Sequence, residues 1–173
     1  MNTNLTRSTM NVFEFAMQME LDGKEYYLES KEKVDSPELK KILQELADDE
    51  QKHYIIFKAM KDGGKAEYVE SEATKILSSV KNVFVDMKDK GDQLSFAEDA
   101  KNVWEHAREV EKKAEAFYRE EAEKLDNKEY AVIFNKIADE EHKHWVTMDN
   151  VIKFLDRPTS WLEDAEWNNL EEY

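Results

Sequence analysis

Cysteine is absent from this chain of 173 residues, and glycine and proline number only four and two. Without cysteine the chain has no disulfide bonds, no thiol catalysis, no zinc ribbon and no cysteine-ligated iron–sulfur cluster. With so few turn-forming residues, a few long helices are expected rather than many short elements. No apolar run approaches the roughly eighteen residues that span a membrane. The first residues also lack the charged start and apolar core of a secretion signal, which makes the cytoplasm the expected compartment.

Positive charge is also in short supply. The chain has 25 lysines and arginines against 40 aspartates and glutamates, a net charge of −15. Nucleic acids and anionic membranes would be repelled, so neither is an expected partner. Apolar residues are plentiful by comparison: 40% of the chain is hydrophobic and 11% is aromatic, more than a disordered acidic chain carries. The composition predicts a folded, acidic, all-α protein.

The first half of the chain predicts a helical hairpin. Apolar residues at helical spacing indicate a first helix over about residues 10–33. Ser36 has the position of an N-cap, and Pro37 that of the first residue of a second helix. That helix is expected to continue to about Lys61 and to stop at Gly63-Gly64. Because the turn between the two helices is short, they should be antiparallel neighbours.

The second half predicts another hairpin of the same kind. Ser95 and Glu98 have the spacing of a capping box, which opens a third helix that runs to about Leu125. A fourth helix follows the short break at Asp126-Asn127 and runs to about Leu155. These two helices are again expected to be antiparallel neighbours.

The two hairpins, about residues 10–62 and 95–155, are joined by a crossover over residues 65–94 and followed by a C-terminal extension over residues 156–173. A crossover of this length can run along a bundle of helices that are each roughly 37 Å long. The predicted fold is therefore a single-domain four-helix bundle with one long crossover connection. Helical spacing of apolar residues predicts a shorter helix inside the crossover. The extension is apolar enough to dock on this chain or on a second copy, and a homodimer is expected.

The two hairpins are copies of one another. Shifting the sequence by 91 positions lays helix 1 on helix 3 and helix 2 on helix 4 without a gap. Because the chain has only four histidines, one histidine falling on another within a long ungapped match indicates a true repeat. The coinciding pairs include Glu20 with Glu111, Glu50 with Glu141, and His53 with His144.

The repeated acids and histidines have the spacing of metal ligands. Glu50 and His53 lie three residues apart, so on a helix they project about 60° apart and roughly 4.5 Å along the axis. A single Glu-x-x-His on a charged helix is usually a solvated pair, but the repeat supplies a matched set of six residues. Glu20 lies in an otherwise apolar stripe of helix 1. Four carboxylates around one bundle axis would be untenable without cations, and two divalent ions would balance them.

At these residues the sequence resembles the rubrerythrin branch of the ferritin-like di-iron carboxylate superfamily, whose site takes one glutamate from each of two helices and a Glu-x-x-His from each of the other two. The resemblance covers about residues 10–155 and implies a ferritin-like fold. It also implies two iron ions, with manganese or mixed metals as alternatives. The implied ligands are Glu20, Glu50, His53, Glu111, Glu141 and His144, with Glu50 and Glu141 bridging the metals and Glu20 and Glu111 terminal.

The sequence departs from the rubrerythrin pattern in two ways. Rubrerythrins carry an additional glutamate one turn before the third-helix ligand, which exchanges with a histidine when the metals change redox state, and here that position is Arg108. Full-length rubrerythrins end in a rubredoxin domain with cysteine-ligated iron, which this chain lacks. Electrons would therefore come from an external donor.

Four further residues are candidates for a supporting role around the metals. Tyr27 and Tyr118 lie two turns along from Glu20 and Glu111; they either donate to a ligand carboxylate or simply pack in the core. By resemblance, Asp49 and Glu140 accept from the outer nitrogen of the opposite hairpin's histidine; the alternative is that they are solvated. No ligand role is assigned to His106 or His142, and Trp104 and Trp145 are expected in the core.

The resemblance implies a redox function. The leading hypothesis is an oxidoreductase that reduces hydrogen peroxide, or reacts with dioxygen, while cycling between diferrous and diferric states. The second is an iron-handling protein with ferroxidase or storage activity. The third is a non-enzymatic helical module with a relict metal site. The sequence identifies no catalytic residue, and the four supporting residues are candidates only for contact with the metal ligands.

Overall fold

The computed structural model describes residues 11–65 and 98–156. These residues form four helices, which we number α1 (Val12–Lys33), α2 (Pro37–Lys61), α3 (Glu98–Lys124) and α4 (Lys128–Asp156). The described ranges contain no strand, which confirms the predicted all-α class. The predicted capping residue Ser95, the helix expected within the crossover and the C-terminal extension beyond Asp156 lie outside the described residues.

Side-chain caps start three of the helices. Asn11 begins α1 with a capping box: its Oδ1 accepts from the Glu14 amide at 2.8 Å while Glu14 Oε2 accepts from the Asn11 amide at 3.3 Å. Ser36 caps α2 as predicted, its Oγ accepting from the Leu39 amide at 3.3 Å. Asn127 serves the same purpose for α4, because its Oδ1 accepts from the amides of the second and third residues that follow.

The two hairpins have the same internal register. In the first, Lys24 Nζ donates to Gln51 Oε1 at 2.7 Å, which joins the middle of α1 to the middle of α2. In the second, His142 Nδ1 lies 3.0 Å from Glu115 Oε2 and joins α4 to α3. The repeat offset of 91 places Lys24 on Glu115 and Gln51 on His142. The sequence repeat is thus a repeat of three-dimensional structure.

The hairpins meet with their helices running in opposite directions. In the C-terminal half of α1, Tyr26 Oη donates to the carbonyl of Val103, near the start of α3, at 2.8 Å. At the other end of the bundle, Tyr130 near the start of α4 donates to the carbonyl of Gly64, just after α2, at 3.0 Å. The chain therefore leaves α2 at one end of the bundle and enters α3 at the other. This topology is that of the predicted four-helix bundle with a long crossover.

The hydrophobic core is divided into two clusters, one toward each end of the bundle. One cluster contains Leu43, Leu46 and Trp104, all fully buried, and the other contains Phe57 and Phe134. Trp104 is thus in the core as expected. The expectation for Trp145 is wrong, because this residue is half-buried and stacks on His142 with ring centroids 5.9 Å apart. The layer between the two clusters is polar.

Among the described residues, no helix combines the length and the apolar character that crossing a membrane requires.

Candidate metal centre

All six residues that the sequence predicts as metal ligands point into the layer between the two apolar clusters. Each is less than 5% exposed to solvent. They come from all four helices: Glu20, Glu50 and His53, Glu111, and Glu141 and His144. Buried carboxylates at such density are rare unless they are paired or bind a cation.

The six residues form two overlapping groups. Glu20, Glu50, His53 and Glu141 each offer one ligand atom, and these atoms all lie within 4.8 Å of one another. The second group has the same spread and consists of Glu50, Glu111, Glu141 and His144. Glu50 and Glu141 belong to both groups. Two cations placed in the groups would therefore share these two carboxylates, which is the arrangement of a binuclear centre.

The Nδ1 atoms of both histidines face the carboxylates. His53 Nδ1 lies 3.0 Å from Glu141 Oε1 and 3.3 Å from Glu20 Oε2. His144 Nδ1 lies 3.4 Å from both Glu50 Oε1 and Glu141 Oε2. In each case Nδ1 is the ring nitrogen available to a cation in the centre.

The outer nitrogens are bound by carboxylates of the opposite hairpin. His53 Nε2 is 2.5 Å from Glu140 Oε2, and His144 Nε2 is 3.2 Å from Asp49 Oδ2. Because an ionised carboxylate only accepts hydrogen bonds, Nε2 carries a proton and the ring is held with Nδ1 inward. Both carboxylates are buried, so of the two alternatives for Asp49 and Glu140 the structure shows contact with histidine rather than solvation.

Two tyrosines also cross between the hairpins. Tyr27 Oη donates to Glu111 Oε1, and Tyr118 Oη donates to Glu20 Oε1. Both tyrosines are buried, so each donates to a carboxylate and packs in the core at once. Burial and the charges of Glu20 and Glu141 raise the pKa of Tyr118 well above its usual value. The Tyr118 hydroxyl therefore keeps its proton and donates a hydrogen bond to Glu20.

Crowding shifts the acidities of the carboxyl groups in opposite directions. Burial raises the pKa of Glu50 well above its ordinary value, and the charge of Glu141 raises it further. The same two causes raise the pKa of Glu111. Burial also acts to raise the pKa of Glu141, but the adjacent Glu111 and the two histidines outweigh it and hold this pKa well below its ordinary value. The surroundings thus favour the charged form of Glu141 and the protonated forms of Glu50 and Glu111.

The histidines are driven toward their charged form. Burial acts to lower the pKa of His53, but Glu20 and the contacts with Glu140 and Glu141 raise it well above the ordinary value. His144 behaves alike: burial opposes the charge, while Glu111 and Asp49 raise the pKa well above normal. In the absence of a metal, protons therefore neutralise the anionic cluster. Cations bound at the same place would displace them.

Several polar atoms in the centre make no hydrogen bond within the described part of the chain. They are Glu20 Oε2, Glu50 Oε1, His53 Nδ1, Glu141 Oε1 and His144 Nδ1. The closest polar neighbours of these atoms include one another, as in the 3.0 Å contact of His53 Nδ1 with Glu141 Oε1, and all five are inward-facing atoms of the proposed ligands. Carboxylate oxygen and imidazole nitrogen are the donors that iron and manganese take in proteins. The residues present therefore fit a pair of such ions.

Arg108 lies outside the centre. Its Nη1 donates to Asp149 Oδ1 at 2.7 Å, and Lys153 Nζ lies 3.1 Å from Asp149 Oδ2. The guanidinium is thus anchored to α4 rather than directed at a carboxylate of the cluster. The position one turn before Glu111 contributes no ligand here.

A cavity of about 300 Å³ reaches the carboxylates between α1 and α3. Small residues, among them Gly23, Ala107 and Ala114, form part of its wall. This cavity was not predicted from the sequence. Small residues on the inward faces of α1 and α3, such as Gly23 and Ala114, are the sequence signal that could have indicated it.

Together, the fold and the buried carboxylate–histidine cluster define a ferritin-like four-helix bundle protein. The family model described as Rubrerythrin matches residues 11–152, and the chain belongs to the rubrerythrin family. These 173 residues contain no cysteine and hence no rubredoxin-type iron centre. Neither a curated protein nor a solved structure matches the chain.

The contact of Asp49 with His144 gives a prediction for metal affinity. Asp49→Asn keeps the shape of the side chain but removes the charge that orients and strengthens His144 as a ligand, so metal affinity should fall about tenfold or more. Competition of the protein with a chelator for anaerobic Fe(II) measures this affinity. The matched control is Asp48→Asn, the same change at an exposed neighbour. Equal affinities in the two variants would show that the Asp49–His144 contact has no part in metal binding.

Proposed function

We propose that this protein binds two iron ions in the carboxylate–histidine cluster and reduces hydrogen peroxide. The observation that carries the proposal is the pair of four-residue groups that share Glu50 and Glu141. Membership in the rubrerythrin family supports it. The five inward-facing polar atoms without hydrogen bonds support it further, because metal ligation would satisfy all of them.

Two ferrous ions held by the six ligand residues would supply the two electrons that, with two protons, convert hydrogen peroxide to two molecules of water. The chain's own residues prepare the site for that step. Tyr27 and Tyr118 hold the outer carboxylates Glu111 and Glu20 in place through hydrogen bonds. The apolar clusters above and below the polar layer limit access of bulk water, which strengthens electrostatic interactions within it.

The oxidised centre must be reduced again before the next turnover. Since these 173 residues contain no cysteine-ligated iron, we propose that an external one-electron donor performs this step. The homodimer expected from the sequence also stays a prediction.

The number of bound irons and their choice of oxidant test the proposal. Anaerobic titration with Fe(II) should saturate at two ions per chain, since the cluster provides two groups of ligands. The ferrous protein should then be oxidised faster by hydrogen peroxide than by dioxygen, as stopped-flow absorbance would show. Faster oxidation by dioxygen, or continued uptake and oxidation of many irons per chain, would instead identify an iron-handling protein.

A further inference from the structure

The cavity between α1 and α3 joins the protein surface to the metal centre. At its outer end lie Asp22, His106 and Val110, which are exposed. At its inner end lie carboxylates of the cluster, including Glu50 and Glu111. His53 and His144 do not line the cavity, and neither do Asp49 and Glu140, the carboxylates that contact their Nε2 atoms. All four residues belong to α2 and α4. The cavity therefore approaches the centre from the side opposite the imidazoles.

The wall between the two ends is predominantly apolar. It is formed by Met19 and Gly23 of α1 and by Ala107, Val110 and Ala114 of α3. The repeat offset pairs Met19 with Val110 and Gly23 with Ala114, so equivalent residues face each other across the cavity. A methyl group added at Gly23 would lie 3.5 Å from the Glu50 carboxyl group. This part of the apolar wall is therefore in van der Waals range of the carboxylate cluster.

The repeat symmetry is broken at one end of the cavity. Tyr26 and His106 line it, with ring centroids 5.1 Å apart. The symmetry-related pair, Phe117 and Phe15, has centroids 5.0 Å apart but does not line the cavity. The ring pair that lines the cavity carries polar groups, whereas the equivalent pair away from the cavity consists of two phenylalanines. In the described part of the chain, the cavity therefore reaches the cluster beside a polar ring pair, Tyr26 and His106.

The volume of the cavity exceeds what hydrogen peroxide needs. Apolar cavities of about 150 Å³ are large enough to bind benzene, and this cavity is about 300 Å³. We propose that the cavity is a binding site for organic hydroperoxides whose apolar part is no larger than a cumyl group, an aromatic ring with a three-carbon substituent. The apolar part lies against Met19, Val110 and Ala114, and the hydroperoxyl group reaches the carboxylate end.

This inference rests on the proposed function for its chemical step. The O–O bond of the hydroperoxide breaks, and two protons and two electrons are taken up. The electrons come from the two ferrous ions, which become ferric, and the products are the corresponding alcohol and one water. An external one-electron donor then restores the ferrous state in two single-electron steps.

A binding measurement tests the cavity without any turnover. The probe is 2-phenylpropan-2-ol, the alcohol that forms when cumene hydroperoxide is reduced. This alcohol has no O–O bond and therefore cannot be turned over. Added to the metal-free protein, it should shift the methyl NMR resonance of Met19 saturably. Val110→Trp replaces an isopropyl group by an indole ring at the exposed edge of the cavity and should weaken probe binding at least tenfold. Val132→Trp is the matched control, because Val132 is an exposed valine of α4 away from the cavity, and it should bind the probe as the parent does.

A rate measurement then tests the substrate class. For the ferrous-loaded parent, the rate of oxidation by cumene hydroperoxide is compared with the rate by hydrogen peroxide. Val110→Trp should lower this ratio at least tenfold, and Val132→Trp should leave it unchanged. Absence of saturable probe binding, or equal ratios in the two variants, would overturn the inference while leaving peroxide reduction by the parent intact. Probe binding by a protein that reduces no peroxide would confirm the cavity as a binding site and refute the redox function.

Discussion

Replacing Glu50 with alanine should lower iron-dependent peroxide consumption by roughly a hundredfold or more, a loss of close to 3 kcal/mol in transition-state stabilisation. Glu50 belongs to both ligand groups, so its removal takes a ligand from both proposed metals. Glu141→Ala should have the same effect, because the repeat makes the two positions equivalent. Initial rates of peroxide loss at saturating Fe(II), together with iron stoichiometry, measure the effect.

The bundle itself should tolerate the Glu50→Ala change. Burial and like charge already raise the pKa of Glu50, which means that the folded metal-free state disfavours its ionised form. Removing the carboxyl group relieves that crowding, and the polar space left behind can hold water. Far-ultraviolet circular dichroism should therefore show parental helical content.

Exposed glutamates provide the control for this loss. Glu29 and Glu120 also coincide in the repeat, but both lie on the surface. Glu29→Ala and Glu120→Ala change the net charge by the same amount as Glu50→Ala and should leave peroxide consumption within about twofold of the parent. Equal losses at Glu29 and Glu50 would mean that activity depends on overall acidity, and no loss at Glu50 would favour a module with a relict site.

Metal binding should reverse the pH dependence of stability. In the metal-free protein the pKa values of Glu50, Glu111, His53 and His144 are all raised. The folded state thus binds more protons than the unfolded state, and its stability falls as pH rises through these raised values. The histidine contribution is fully present below the unfolded pKa of about 6.5. The metal-free protein should therefore melt at a higher temperature near about pH 5.5 than near about pH 8.

Glu141 does not change this expectation. Its pKa is lowered, so its contribution to stability is present above the unfolded value of about 4.3 and is lost only as pH falls through the folded value. Between mildly acid and alkaline pH that contribution is constant. Metal ligands must be deprotonated, so two bound ions should raise the melting temperature most near about pH 8. A melting temperature that metal leaves unchanged at that pH would contradict the placement of the site.

The helices and the clustering of the six candidate ligands could be predicted from the sequence because both depend on local spacing. Ser36 and Pro37 signal a helix start through backbone chemistry alone, and the structure places both as predicted. The pair Glu50 and His53 lies on one face of any regular helix. The repeat then identified the corresponding residues of the second hairpin without reference to any contact between hairpins.

Features that depend on the fit between helices could not be predicted in the same way. The ion pair of Arg108 with Asp149 depends on the register of α3 against α4, which no single helix specifies. The cavity is defined by the distance between α1 and α3. Trp145 was misplaced because it follows the inward-facing His144 directly, and consecutive residues on a helix point about 100° apart, which turns its ring toward the edge of the bundle.

The contacts around the centre have a consequence for its origin. Tyr27 contacts Glu111 and Tyr118 contacts Glu20, just as His53 contacts Glu140 and His144 contacts Asp49. Each pair is its partner's image under exchange of the hairpins, which is the defining property of an isologous interface between identical subunits. The chain is therefore built as a two-fold dimer of hairpins on one polypeptide. A lone ancestral hairpin would have held half of the cluster, and only pairing with a second copy would have completed the two four-residue groups.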